Sequence, residues 1–247
     1  MKLAVISPIS MLDTYSTDFH LVLTQYYLSS STYREFYISR RLKGDFIILD
    51  NGAAELKASV DKKDMMDVVR ELQPHVVVAP DVIYDVTQTM HLTATFLAAH
   101  AVELHHLGVM IMAVPQGGDR VQWRVCFDDF NRDKRIDWLG ISMFYTPKFN
   151  RRWEVLKSIE STISKPCHLL GLWDNPYALE DEKQFEFVKS VDTAKTVEFG
   201  LEGLQLSEWN KHKHIDDDWY FGLDKEICRV RSKHIEDNIR EMKRIVQ

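Results

Sequence analysis

The chain has 247 residues, of which 45% are hydrophobic and 28% are charged, and its formal net charge is -6. This composition is typical of a globular protein with a large buried core, and it excludes disordered, collagen-like and coiled-coil chains. The acidic balance argues against a protein that coats DNA nonspecifically. The three separated cysteines form no disulfide framework, the first residues do not resemble a secretory signal, and no apolar run reaches the roughly 20 residues of a membrane span. We therefore expect a soluble protein of the cytoplasm.

Short segments rich in Val, Ile and Leu alternate with helical patterns along the chain. The apolar segments predict eight strands, at residues 3–7, 46–49, 75–79, 108–114, 138–141, 168–172, 187–191 and 196–199. The spacing of apolar residues predicts helices at 62–72, 86–106, 119–130, 151–163 and 177–185. It also predicts an amphipathic C-terminal helix, with apolar residues from 227 to 246 on one face and charges on the other.

Alternation of strands and helices predicts the α/β class, with parallel strands and helices outside them. Eight strands over about 200 residues favour a (β/α)8 TIM barrel, a fold of roughly 250 residues, with the whole chain, 1–247, as a single domain. A doubly wound open sheet is the alternative, but residues 7–10 (SPIS), after the first strand, cannot supply a glycine-rich nucleotide fingerprint.

Polar residues follow several predicted strands, at the ends where parallel α/β folds place their chemistry. Asp50, Asp81 and Asp192 come at such ends, and Gln116 with Gly117-Gly118 follows another strand. Taken singly, each aspartate is better explained as a turn or helix-cap residue. Their repetition at successive strand ends predicts a functional site. The two glycines beside Gln116, in a chain with only ten, predict a close approach of backbone to ligand.

Three carboxylates and an amide, without a metal or an activating histidine, suit glycosyl transfer involving a purine. One carboxylate can attack the anomeric carbon while a second acts as general acid and base. A further Asp can accept hydrogen bonds from N1–H and the exocyclic amine of guanine, and the amide of a Gln can donate to O6. The residue types therefore predict a base-reading site joined to a glycosyl-transfer site.

Between about residues 46 and 200, short ordered motifs resemble those of the tRNA-guanine transglycosylase superfamily, TIM-barrel enzymes that place 7-deazaguanine bases in nucleic acid. Residues 49–55 (LDNGAAE) are similar to its Asp-Ser-Gly-Gly-Phe-Gln motif, 113–118 (AVPQGG) to Val-Gln-Gly-Gly, and 169–172 (LLGL) to its Met-Gly-Val-Gly strand. Segments 79–81 (APD), 139–142 (LGIS) and 190–192 (SVD) fall where that family has a base-recognition aspartate, a glycine amide on the base, and a nucleophilic aspartate. Only Gln-Gly-Gly is specific by itself, and the order and spacing of the set carry the resemblance.

The resemblance implies a role for each matched residue. Asp192 is expected to be the nucleophile on C1′, and Asp50 the general acid and base. The purine is expected to contact Asp81, Gln116, Gly117, Gly118, Gly140 and Leu170. Such a mechanism passes through a covalent glycosyl-enzyme and needs no ATP, metal or redox cofactor.

The sequence also departs from the family pattern. Ala54 stands where the tRNA enzymes have an aromatic residue that stacks on the base, so we expect stacking from Leu170, Tyr145 or Trp173. The family's clustered zinc ligands have no counterpart, because the cysteines are scattered and no Cys-x₂-Cys spacing exists. We therefore expect no zinc site, and interpret His212-Lys213-His214 beside its aspartates as a solvated loop.

The compact, zinc-free chain most resembles the DNA 7-deazaguanine transglycosylases of phages and bacteria. We therefore expect DNA as the partner, a 7-deazaguanine such as preQ0 as the entering base, and no membrane partner. Basic residues expected on the phosphates are Arg40, Arg41, Lys148, Arg151 and Arg152. Three alternatives stay open: a tRNA-guanine transglycosylase acting on tRNA, a small-molecule TIM-barrel glycoside or nucleoside hydrolase, and an inactive barrel that only binds.

Overall fold

A computed structural model describes residues 1–145, 151–172, 175–213, 215–224 and 227–247 of the chain. Within these residues, the eight strands are β1 (Lys2–Val5), β2 (Phe19–Leu23), β3 (Phe46–Asp50), β4 (Val76–Val78), β5 (Met110–Ala113), β6 (Trp138–Ser142), β7 (Cys167–Leu170) and β8 (Val188–Thr193). They form one parallel sheet in the order β1-β8-β7-β6-β5-β4-β3-β2. The two ends of that order meet where the Thr17 hydroxyl lies 2.8 Å from the carbonyl oxygen of Leu3 and 2.7 Å from that of Phe19. The sheet is thus a nearly closed barrel.

Helices connect successive strands in the described part of the chain. The α-helices are α1 (Thr24–Ser29), α2 (Ser31–Leu42), α3 (Ala53–Leu56), α4 (Lys62–Leu72), α5 (Val86–His106), α6 (Arg120–Arg132), α7 (Arg152–Ile159), α8 (Leu179–Glu182), α9 (Lys195–Glu202), α10 (Asp217–Phe221) and α11 (Arg229–Val246). The connection from β1 to β2 contains only a 3-10 turn, Ile9–Met11. This alternation confirms the (β/α)8 barrel that the sequence predicts.

The strands are apolar because both of their faces are buried, one inside the barrel and one under the helices. In β3, Ile47, Ile48 and Leu49 are fully buried. The rings of Phe19 and Phe46 stack with their centroids 5.0 Å apart, and that of Trp138 lies 6.3 Å from Phe46. All three residues begin their strands, so large rings fill the amino-terminal end of the barrel. Space for a ligand is therefore left at the carboxyl-terminal end.

Local sequence signals explain the helices that were predicted well. Asp61 caps α4 by accepting the backbone N–H of Lys63 at 2.8 Å, and Asp85 caps α5 by accepting that of Gln88 at 2.9 Å. Both helices have the predicted bounds. The predicted C-terminal helix is confirmed as α11, which crosses α9 so closely that a Cβ at Gly200 would lie 2.3 Å from Cγ1 of Ile235.

One predicted strand is wrong and one strand was missed, and the two errors cancel in the strand count. The segment 196–199 was expected to be a strand but lies in α9, because a four-residue apolar run fits a buried helix face as well as a strand. The strand β2 was not predicted, since its sequence FHLVL includes a histidine and follows a polar stretch. His20 is nonetheless buried, with Nε2 2.9 Å from Oδ2 of Asp45.

In the residues described, no helix is both long enough and apolar enough to cross a membrane.

Candidate active site

A cavity of about 750 Å³ opens at the carboxyl ends of the strands. Its wall includes Asp50 at the end of β3, Asp81 after β4, Gln116 after β5 and Asp192 in β8. Leu170, at the end of β7, lines the same cavity. The sequence places these side chains at successive strand ends, and the closure of the barrel brings them around one space.

Asp192 is held by two hydrogen bonds on one of its carboxylate oxygens. Its Oδ1 lies 3.0 Å from Nε2 of His168 and accepts the backbone N–H of Gly171 at 2.9 Å. Nδ1 of His168 lies 2.7 Å from the Ser190 hydroxyl, and both of these residues are fully buried. In a neutral imidazole this geometry puts the hydrogen on Nε2, so that Ser190 donates to Nδ1. None of the described hydrogen bonds falls on Oδ2, the second oxygen of this cavity-lining carboxylate.

The sequence analysis missed His168, although one signal was present. Residues that alternate along a strand share a face, and residues in register on neighbouring parallel strands share it too. His168 pairs in register with Ser190, two positions before Asp192. Three polar residues on one face of two otherwise apolar strands indicate a polar network inside the barrel.

Asp81 is buried and accepts a side-chain amide on each carboxylate oxygen. Nδ2 of Asn51 donates to Oδ1 at 2.7 Å, and Nε2 of Gln116 donates to Oδ2 at 2.5 Å. Oε1 of Gln116 accepts the backbone N–H of Tyr84 at 3.1 Å, which fixes the orientation of that amide. Burial raises the pKa of Asp81 to about 6, although both amides act to lower it. Asn51 lines the cavity and was not among the predicted site residues.

Asp50 and Glu55 form a pair of carboxyls on the cavity wall. Burial and the nearby charge of Glu55 raise the pKa of Asp50 well above its usual range, although the Gly52 N–H donates to its Oδ2 at 2.8 Å. Burial also raises the pKa of Glu55 to about 7, and the charges of Asp217 and Asp192 act in the same direction. Oε2 of Glu55 is buried and has no hydrogen-bond partner among the described residues. Asp50 therefore keeps its proton to a higher pH than an exposed aspartate does.

A cluster of charged residues forms the wall after β8, and it was not predicted. Nζ of Lys195 lies 2.9 Å from Oε2 of Glu198, and Nε2 of His212 lies 3.1 Å from the same oxygen. Nδ1 of His212 lies 2.9 Å from Oε2 of Glu202. Burial alone would lower the pKa of His212, but its hydrogen bonds to Glu198 and Glu202 raise it above the ordinary value. The histidine interpreted as part of a solvated loop is thus buried in an ion-pair network, whereas His214 lies outside the described residues.

Gly117, Gly118 and Gly140, which were expected to contact the base, are not among the described residues that line the cavity, and two of them, Gly117 and Gly140, have packing reasons for lacking a side chain. A Cβ at Gly117 would lie 2.4 Å from the backbone nitrogen of Trp123, so Gly117 lets α6 begin against the loop. The backbone N–H of Gly118 donates to Oε1 of Gln122 at 2.9 Å. A Cβ at Gly140 would lie 2.7 Å from Cδ1 of Leu170, so this glycine makes room for the leucine that lines the cavity.

Among the residues expected to stack on a base, only Leu170 has a described side chain. Trp173 and the side chain of Tyr145 lie outside the described part of the structure. Phe144, which the sequence analysis did not single out, lines the cavity, and its carbonyl accepts the hydroxyl of Tyr84 at 3.1 Å. Ala54 lines the cavity as well.

Arg40 and Arg41 lie at the end of the barrel opposite the cavity. Nη2 of Arg40 donates to the Thr17 carbonyl at 3.2 Å and its Nε lies 2.5 Å from Asp45, and both partners lie within two residues of the start of a strand. Nε of Arg41 donates to the carbonyl of Gln73, ahead of β4, at 2.6 Å. The helix α2 returns from the carboxyl end of β2 to the start of β3, so it must end at the amino-terminal end of the barrel. The structure therefore does not support phosphate contacts by these two residues at the cavity.

Arg152 does not face solvent either. Its side chain is 3% exposed and pairs with Glu182, also 3% exposed, at 2.8 Å. Its Nη1 donates to the carbonyl of Gly171 at 2.7 Å. The structure thus does not support a phosphate contact by Arg152, because its donors are used inside the protein. Arg151 is exposed at the start of α7, on the cavity side, and Lys148 lies outside the described residues.

The chain matches no protein-family model and no curated protein. Among solved structures it is similar to the YdjI aldolase from Escherichia coli K12, with a TM-score of 0.57 and 13% sequence identity. The similarity covers 98% of this chain and 88% of that one. At that identity the comparison shows the barrel fold alone.

Proposed function

We propose that this chain is an enzyme, a base-exchange transglycosylase that replaces guanine in nucleic acid with a 7-deazaguanine such as preQ0. The observation that carries the proposal is the arrangement around Asp81, a buried carboxylate flanked by two amides and set in the same cavity as Asp50 and Asp192.

The Asp81 cluster suits the Watson–Crick edge of guanine. Each carboxylate oxygen has two acceptor sites, so Asp81 can bind its amides and still accept N1–H and the exocyclic amine. The side-chain amide of Gln116, which donates to Asp81 at 2.5 Å, is the group that we propose donates to O6 of the bound base. A 7-deazaguanine presents the same edge, so one site serves the leaving and the entering base in turn.

Asp50 and Asp192 differ in the way that glycosyl transfer requires. Asp192 acts as the nucleophile, held in one orientation by the hydrogen bonds on its Oδ1. A bond forms between its Oδ2 and C1′ while the C1′–N9 bond breaks. Asp50, which holds its proton to higher pH, gives that proton to the departing guanine. It then takes a proton from N9 of the entering base, which attacks C1′ and releases Asp192.

DNA is the proposed partner, and a base inside a duplex must leave the stack to be reached, at a cost of a few kcal/mol. One observation favours a second candidate, a small-molecule nucleoside or glycoside hydrolase. The described residues that line the cavity include six carboxyl side chains and two lysines, and such a wall repels a polyanion. Of the basic residues predicted to contact phosphates, exposed Arg151 on the cavity side is the described one that still suits that role.

A base-exchange assay read by nucleoside mass spectrometry tests the proposal. Duplex DNA, single-stranded DNA, tRNA and free guanosine are each incubated with a panel of 7-deazaguanines. Incorporation into DNA that disappears in Asp192→Asn supports the proposal, and incorporation into tRNA alone supports the tRNA alternative. Release of free base without incorporation supports the hydrolase and overturns base exchange.

A further inference from the structure

A buried ion pair lies behind the cavity, where it joins two helices to the loop after β7. Nε and Nη2 of Arg152, at the start of α7, donate to Oε2 of Glu182, at the end of α8, at 3.1 and 2.8 Å. The third contact of this guanidinium, from Nη1, goes to the carbonyl of Gly171 at 2.7 Å. Neither side chain belongs to the cavity wall, so neither touches a ligand there.

Gly171 connects this ion pair to Asp192. Its carbonyl accepts from Arg152, and its own N–H donates to Oδ1 of Asp192 at 2.9 Å. The backbone at Gly171 has a φ of +69°, and a Cβ there would lie 2.7 Å from Sδ of Met143. Only glycine suits that position, yet glycine also has the widest choice of backbone conformations. The direction of its N–H must therefore be fixed by contacts, and Arg152 supplies one on the carbonyl.

The energetics of a buried ion pair support a specific role. The free energy lost when two charges leave water is about as large as the free energy gained from their attraction. A well-packed apolar pair would therefore stabilise the fold equally well. Here the guanidinium does something that an apolar side chain cannot, because its planar fork reaches a carboxylate and a carbonyl together. That carbonyl belongs to the residue that donates to Asp192.

We infer that Arg152 is a positioning residue for Asp192, acting through the backbone of Gly171. With Arg152 in place, Oδ1 keeps both the Gly171 N–H and His168, and Oδ2 stays aimed at the cavity. Without it, the Gly171 N–H is free to turn away and the carboxylate can rotate. The effect on reaction rate rests on the proposed function, whereas the effect on the Gly171 hydrogen bond does not.

Two variants separate positioning from stability. Arg152→Lys keeps a positive charge beside Glu182, but one ammonium cannot reproduce the fork that reaches both partners. The double variant Arg152→Met with Glu182→Leu removes both charges and leaves neither unpaired. Arg124→Lys is the matched control, because Arg124 also joins a carboxylate, Asp128, to a backbone carbonyl, that of Ser158.

The first measurement is the amide proton shift of Gly171 by ¹⁵N-edited NMR, with Asp192→Asn as the reference for a lost carboxylate acceptor. We expect both Arg152 variants to shift toward the Asp192→Asn position, and Arg124→Lys to stay at the wild-type position. A wild-type Gly171 shift in either folded Arg152 variant overturns the inference. If the lysine variant does not fold, the double variant decides alone.

The second measurement is the kinetics of base exchange at a temperature where all variants are folded. We expect kcat to fall about ten- to a hundredfold in the Arg152 variants, as for a small misplacement of a reacting group, with an unchanged KM for the entering base. An unchanged kcat contradicts the inference. If the wild-type protein exchanges no base at all, the proposed function fails, and the amide shift still decides whether Arg152 positions Asp192.

Discussion

The substitution Asp81→Asn should change how the stability of the protein depends on pH. Asp81 is buried, and its pKa is about 6 in the folded chain against an ordinary value of 3.8. The folded state therefore holds this proton more tightly than the unfolded state does. The stability that the protonated Asp81 contributes to the folded state is fully present below pH 3.8 and is lost as the pH rises through 6.

The size of the effect follows from the two pKa values. One pKa unit corresponds to about 1.4 kcal/mol, so ionisation of Asp81 lowers the free energy of unfolding by about 2 kcal/mol between pH 4 and pH 8. The Asn side chain of the variant cannot ionise, so its free energy of unfolding does not fall for this reason. The substitution also disturbs the hydrogen bonds to Asn51 and Gln116, but that cost is the same at both pH values and cancels in the comparison.

Urea unfolding followed by circular dichroism, from pH 4 to pH 8, measures the difference. The variant should gain about 2 kcal/mol relative to the wild type across this range. Asp64→Asn, which changes an exposed carboxyl on α4, provides the background. Parallel pH dependences in wild type and Asp81→Asn, or a relative loss by the variant at high pH, would refute the reasoning about this carboxyl.

Three further outcomes follow from the site. Gly117→Ala should destabilise the fold by about 1–3 kcal/mol in thermal unfolding, because the added Cβ would meet the backbone of α6. Gly118→Ala should destabilise it less, because the added Cβ would meet a movable side-chain oxygen at 3.2 Å, and equal destabilisation by the two variants contradicts the packing role of Gly117. Glu55→Gln should keep its exchange rate above pH 7. In the wild type, Glu55, whose pKa is about 7, ionises in that range and its charge disturbs proton transfer by Asp50, so the rate should fall. Identical pH–rate profiles of the two proteins exclude that coupling. Arg151→Ala should raise the KM for DNA and reduce its salt dependence while Arg41→Ala leaves both unchanged, and the reverse pattern would place the DNA at the other end of the barrel.

The architecture and the four central polar residues were predictable because they depend on periodicity and on one general rule. Apolar runs separated by amphipathic helices indicate a parallel barrel, and the carboxyl ends of parallel strands meet at one rim. Asp50, Asp81, Gln116 and Asp192 needed no more than that. The segment 196–199 was assigned to a strand incorrectly because four apolar residues do not distinguish a strand from a buried helix turn, and the strand at 19–23 was missed because a histidine interrupts its short apolar run.

The supporting residues were not predictable in the same way, because their roles depend on tertiary packing. Arg151 and Arg152 are neighbours in sequence, yet Arg151 is exposed in extended backbone just before α7, whereas Arg152, the first residue of that helix, is buried against Glu182. Arg40 is different, because it comes shortly before the strand predicted at 46–49, and that position indicates the amino-terminal end of the barrel. His168 reaches Asp192 only through the register of β7 with β8.

The most direct test of the proposed function is to trap the covalent intermediate on Asp192. The protein is incubated with a guanine-containing oligonucleotide without an entering base, denatured, and analysed by intact-protein and peptide mass spectrometry. We expect an adduct that carries the oligonucleotide minus guanine on the peptide containing Asp192, and its loss in Asp192→Asn. An adduct on another residue, or base exchange by Asp192→Asn, would contradict the assignment of Asp192 as the nucleophile.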